Sequence, residues 1–140
     1  MAYREKIAWV TLVGIAVAFI PYFMFVATYA GPAPLYPLYS SGLFVGVTVL
    51  LALLVTVAAI GIAVSNTREA QAPADERDRG VTQRASSIAY SVLLPALFFA
   101  MATVFLGWST TAVINCVLGA VIVAELVRNA LEIAGYRRGW

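Results

Sequence analysis

The segment AELVRNALE places Glu125, Arg128 and Glu132 at i, i+3 and i+7, hence on one face of a helix. An acid inside an apolar run is a candidate proton or cation site, because an ionisable group in a bilayer is costly to keep without a task. The same spacing also makes an interfacial ion-pair stripe, with Arg128 snorkelling outward to pair with Glu125. Counting from Thr111, Glu125 lies ~21 Å into a ~30 Å hydrocarbon core, near one boundary, which favours the ion-pair reading. Arg77 or Arg79 from the preceding connection are further expected partners of that stripe.

Asp75, Glu76, Arg77, Asp78 and Arg79 follow Pro73, a combination that reads as a helix start with acids where the macrodipole favours negative charge. Asp75 with Arg79 is an i,i+4 pair and Glu76 with Arg79 an i,i+3 pair. Asn115 is the third polar feature: an amide in an apolar helix bonds across to a neighbour for roughly 0.6–2 kcal/mol. It lies beside Gly119 and a small-residue repeat of Ala112, Cys116, Ala120 and Ala124, while Gly42 and Gly46 form a GxxxG. Small residues at these spacings let helix backbones approach, within one chain or between chains.

Other chemistry is poorly supplied. Histidine is absent, which removes the commonest general base and the usual haem, zinc and copper ligand. The single cysteine, Cys116, excludes an intramolecular disulfide. Met24, Met101 and Cys116 suit soft Cu(I) in type but come from three separate spans without ligand spacing. No cofactor, metal or enzymatic activity is therefore expected.

The elements that must position these residues follow from composition. Of 140 residues, 62% are hydrophobic and 11% charged, far more apolar than a soluble domain of this size can hide. Four apolar runs, about 7–29, 43–64, 88–106 and 111–131, each approach the ~20 residues a helix needs to cross ~30 Å of hydrocarbon. All nine Lys and Arg residues lie on one side of these runs; the connections 30–42 and 108–110 carry no charge. The positive-inside bias then sets both termini in the cytoplasm, with the 65–84 loop beside them. The expected fold is one all-α four-helix transmembrane bundle spanning 1–140, its third helix starting near Asp75 in the cytoplasm. A net charge of +2 is too small to imply nucleic-acid binding.

Secondary features fit a bilayer. Tyr29, Tyr36, Tyr39 and Trp108 at one boundary, and Trp9, Tyr90, Tyr136 and Trp140 at the other, read as aromatic belts. Pro32, Pro34 and Pro37 favour a stiff extended cap over the outer end. Pro21 and Pro95 each remove a backbone donor within a span, so kinks are expected there. The first run exceeds a signal-peptide core in length and is read as a retained span.

The DERDR run, Ala89-Tyr90 inside the third span, and the ending AELVRNALEIAGYRRG resemble a group of small uncharacterised bacterial four-helix integral membrane proteins. The resemblance implies a multi-pass protein of the bacterial inner membrane and carries over no functional residue. Similar small membrane proteins act with cytoplasmic regulatory partners, which implies a partner-binding role here. The leading expectation is a non-enzymatic accessory or regulatory subunit that presents its loop and C-terminal tail to a cytoplasmic or membrane partner. The alternative is a small oligomeric transporter or channel using Glu125 as its proton or cation site. Membrane lipids and a second copy of the chain are the other expected neighbours.

Overall fold

The computed structural model describes residues 3–28, 36–65 and 75–138, with side chains in the second segment described from residue 42 onward. Four helices account for nearly all of it: α1 Tyr3–Thr28, α2 Tyr36–Ser65, α3 Glu76–Phe105 and α4 Thr110–Arg138. Each is long and apolar enough to cross a membrane. Exposed rings and aliphatic chains, Phe105 at 91% and Val17 and Phe98 at 69%, require a non-aqueous surround, and this is a small multi-pass membrane protein.

The helices do not pack equally. α1 lies against both α2 and α4, and α4 against α3, so α1 and α4 form the central pair with α2 and α3 on its flanks. Among the described residues α2 and α3 share no extended contact, and none of the described α2 side chains is buried. Ile15, Phe19 and Tyr22 of α1 make the core, with Phe44, Val47 and Leu51 of α2 on one side and Ile122 and Leu126 of α4 on the other. The rings of Tyr22 and Phe44 meet edge to face at 5.8 Å, a geometry set by their quadrupoles.

α3 begins where the Pro73–Asp78 pattern predicts. Asp75 is its N-cap, with φ −65° and ψ 160°, and its carboxylate accepts from Glu76 N–H at 2.7 Å. α3 ends in a turn that only glycine adopts without strain: Gly107 has φ +74°. Trp108 N–H donates to Thr103 C=O at 3.3 Å and Gly107 N–H to Val104 C=O at 3.1 Å. Two carbonyls left unpaired at the helix end are thereby satisfied by the backbone itself. Ser109 then caps α4, its Oγ accepting from Ala112 N–H at 3.3 Å. The result is a tight antiparallel hairpin of α3 and α4.

Helix lengths of 30 and 29 residues make α3 and α4 ~45 Å long, about 15 Å more than the hydrocarbon thickness. The excess is the charged end, where Val81 of α3 sits against Gly135 of α4. A Cβ built on Gly135 falls 2.7 Å from Val81 Cγ1, so the missing side chain is what admits Val81, which is fully buried. The buried series Val81, Ala85 and Ala89 continues this seam into the apolar length at helical spacing.

One expectation is corrected here. The chain from Tyr36 to Gly42 is helical and part of α2, not an extended cap, because Pro37 falls in the first turn, where its missing N–H has no intrahelical acceptor. Residues 29–35, with Tyr29, Pro32 and Pro34, lie outside the described residues, as do 66–74 and Trp140. Among the described residues neither Gly42 nor Gly46 has an atom near its Cβ direction, so this GxxxG makes no helix contact with them, and a contact between chains stays open to it. Pro21 and Pro95 sit inside α1 and α3, and the helical assignment runs through both.

Candidate functional site

The charged end gathers residues from three helices, and its geometry starts at Arg128. Arg128 Nη1 reaches Glu125 Oε1 at 3.4 Å one turn before it, and Arg128 Nε lies 3.7 Å from Glu132 Oε1 one turn after. The Glu125–Arg128–Glu132 stripe thus forms as spaced, but both contacts exceed the ~2.7–2.9 Å of a strong charge-assisted hydrogen bond. Arg128 Nε is buried and has no hydrogen-bond partner among the described residues. Asn129, 2% exposed, donates from Nδ2 to the Glu125 backbone carbonyl at 2.7 Å, which satisfies its amide within the helix.

Among the described residues Asp78 is the acid of the 75–79 cluster that crosses to another helix: Arg4 Nε lies 3.1 Å from its Oδ2. The expected pairs of Arg79 with Asp75 and Glu76 are absent among the described residues. Asp75 is instead committed to capping, and Arg79 N–H donates to the Asp75 carbonyl at 3.0 Å as an ordinary helix bond. Glu76, Arg77 and Arg79 are exposed. Arg77 Nη2 reaches the Tyr136 carbonyl on α4 at 3.4 Å, so neither Arg77 nor Arg79 joins the Glu125–Glu132 stripe. The reason is direction: the start of α3 lies against the last turns of α4, beyond Glu132.

Glu5 is the residue that sequence reasoning passed over. It is 7% exposed and pairs with Arg137, whose Nε lies 3.2 Å from Glu5 Oε1 across 132 residues of chain. The Arg137 guanidinium also stands 5.3 Å from the ring centroid of Trp9, one turn along α1 from Glu5. Glu5 and Trp9 at i, i+4 beside the basic ending YRRG was the available signal.

Asn115 lies far from this end. It accepts the Tyr22 hydroxyl at 2.7 Å on Oδ1 and donates from Nδ2 to the Thr111 carbonyl at 2.8 Å. The cross-helix bond expected of Asn115 therefore runs to α1. Its partner, Tyr22, is 3% exposed. The stripe residues Ala120 and Ala124 are buried, and Ala124 lies within about 20° of Gly135 around α4, on the side that meets α3. Gly119 faces α1, its Cβ direction 3.8 Å from the Phe23 ring.

A cavity of about 350 Å³ opens at the charged end. Its walls include Tyr3, Arg4 and Ile7 of α1, Ala59 of α2, Thr82 of α3, and Arg128, Asn129, Glu132 and Tyr136 of α4. Glu125 is not among its lining residues. Cavities along the apolar length are lined by side chains such as Val17, Leu50 and Leu54, or Phe19, Ile122 and Leu126, with no carboxylate, lysine or arginine. Among the described residues no His, Cys, Asp or Glu cluster has the form of a metal site. No known protein family, curated protein or solved structure matches the chain.

Proposed function

We propose that this is a non-enzymatic accessory or regulatory membrane protein of the bacterial inner membrane, with both termini and the charged end in the cytoplasm, where that end meets a protein partner. The observation carrying the reading is the cross-bracing of the charged end. Arg4 holds Asp78, Glu5 holds Arg137, and Arg77 reaches the Tyr136 carbonyl, so α1, α3 and α4 are joined there by separate contacts. This bracing leaves Glu76, Arg79 and Arg84 exposed around it. A braced surface with charges left over loses little conformational entropy when a partner docks.

Photo-crosslinking residues placed at Gln83 and at Trp108 in the full chain in its native membrane test the proposal. Crosslinks to one protein species from Gln83, absent from Trp108 and lost in the charge-swapped Glu76→Arg, Arg79→Glu chain, are the expected result. Protein crosslinks that persist unchanged in the swapped chain would remove this surface as the docking site.

A further inference from the structure

We propose that the side of α2 facing away from α1 takes the α2 of a second copy of this chain, as a parallel pair about a two-fold axis along the membrane normal. α2 meets α1 through Phe44, Val47, Leu51 and Val55, spaced three and four residues apart. About half a turn around the helix from these, Gly42, Gly46, Val49, Leu53, Thr56 and Ile60 are all exposed. None of the described α2 side chains is buried, whereas α1, α3 and α4 each bury residues within the chain.

The outward series steps by four and three residues alternately. It therefore repeats every seven residues and stays on one side of a slightly under-wound helix, so two copies joined along it cross at about +20°. Gly42 and Gly46 have nothing within 4 Å of their Cβ directions among the described residues. Each glycine weakens the helix relative to alanine, and a lipid tail returns nothing for that loss. A second helix does, because missing side chains let two backbones touch.

Thr56 points to a partner independently of the glycines. It lies ~21 Å along α2 from Gly42 and ~14 Å from Ser65, well inside a ~30 Å hydrocarbon core. The Thr48 hydroxyl donates to the Phe44 carbonyl at 2.8 Å, and the Ser91 and Thr103 hydroxyls likewise bond within their own helix. Among the described residues the Thr56 hydroxyl has no hydrogen-bond partner. Hydrocarbon supplies neither donor nor acceptor, so this group is as cut off from water as one in a core.

The occupant follows from symmetry. A two-fold pair sets each outward residue against its own mate, glycine on glycine and Thr56 on Thr56. A hydroxyl both donates and accepts, so an identical chain completes the missing bond. α2 holds no Asp, Glu, Lys or Arg, and two copies lie side by side in parallel without opposing like charges.

Cysteine crosslinking of the full Cys116→Ala chain in its native membrane tests the pair. Val49→Cys and Leu53→Cys lie on the outward series and Leu50→Cys and Leu54→Cys off it, while all four native side chains are similarly exposed, at 53% to 60%. Oxidation is expected to join two copies through Val49→Cys or Leu53→Cys at least about tenfold more than through the other two, since a disulfide needs Cα atoms within about 7 Å. Gly46→Leu adds a side chain that meets no described residue. It is expected to abolish energy transfer between labelled copies in phosphatidylethanolamine–phosphatidylglycerol vesicles while the circular dichroism of the chain is unchanged. Thr56→Val should weaken the dimer about threefold, the factor of one average interhelical hydrogen bond. Equal crosslinking at all four positions, a native chain that stays monomeric in the vesicles, or a Gly46→Leu chain that still pairs overturns the proposal. Crosslinks from Val49→Cys and Leu53→Cys to a different protein and not to each other also overturn it, since the occupant is then not a second copy.

Discussion

The Tyr22 hydroxyl donates to Asn115 Oδ1 at 2.7 Å, joining α1 to α4 across 93 residues of chain inside the apolar length of the bundle. Both partners are otherwise well placed. Tyr22 packs among Phe19, Phe23 and Phe44, and the Asn115 amide nitrogen is satisfied by Thr111. The bond therefore adds orientation to a contact already made by rings.

Removing the hydroxyl with Tyr22→Phe leaves Asn115 Oδ1 without its donor and is expected to lower stability by about 1 kcal/mol. Unfolding titrations in mixed micelles measure it. Asn115→Ala in the Tyr22→Phe background should then add less than it does in the native chain. Strict additivity of the two changes would show that the hydroxyl and the amide do not communicate.

Gly135→Ala brings a methyl to 2.7 Å from the side chain of fully buried Val81, whose branched Cβ leaves it little room to turn. Alanine improves helix propensity by about 1 kcal/mol, while overpacking costs about 1–3 kcal/mol. The substitution is expected to destabilise the hairpin of α3 and α4, and Val81→Ala should recover part of the loss. A rise in thermal stability for Gly135→Ala alone would contradict the close approach.

The Glu5–Arg137 pair predicts an asymmetry. Glu5 is nearly enclosed while more than half of the Arg137 side chain is exposed. Arg137→Gln strands a buried carboxylate, whereas Glu5→Gln leaves an arginine that solvent and the Trp9 ring still stabilise. Arg137→Gln should cost the more of the two, by about 1 kcal/mol after discounting for the exposed partner. Chemical denaturation of both variants decides it, and equal losses would count against burial as the cause.

Cysteine labelling in a Cys116→Ala chain checks the arrangement across the membrane. Trp108→Cys, in the hairpin turn, should react with an impermeant maleimide added outside intact cells. Gln83→Cys and Arg138→Cys should react only after permeabilisation. Labelling of Gln83→Cys or Arg138→Cys from outside intact cells would refute the cytoplasmic placement of the charged end.

Some of this was open to reading along the chain, because the signals are local. Four apolar runs and the charge asymmetry fix helices of membrane-crossing length whatever their neighbours. Pro73 followed by Asp75, Glu76 and Asp78 specifies the start of α3, and the start lies at Asp75. The stripe of Glu125, Arg128 and Glu132 is likewise a property of one helix, since i+3 and i+4 neighbours meet in any α-helix.

What only the tertiary structure decided is which helix meets which. Lipid is as apolar as a leucine face, so hydrophobic pattern does not rank helix pairs; close packing and single polar bonds do. The choice of α1 and α4 as the central pair therefore rests on contacts whose partners no local pattern names, such as Tyr22 to Asn115 and Glu5 to Arg137. The same holds for small residues: Gly135 admits Val81 although it belongs to no repeat, while Gly42 and Gly46, in a GxxxG, meet none of the described residues. Spacing states where a helix is able to be approached, and the facing surface decides whether it is.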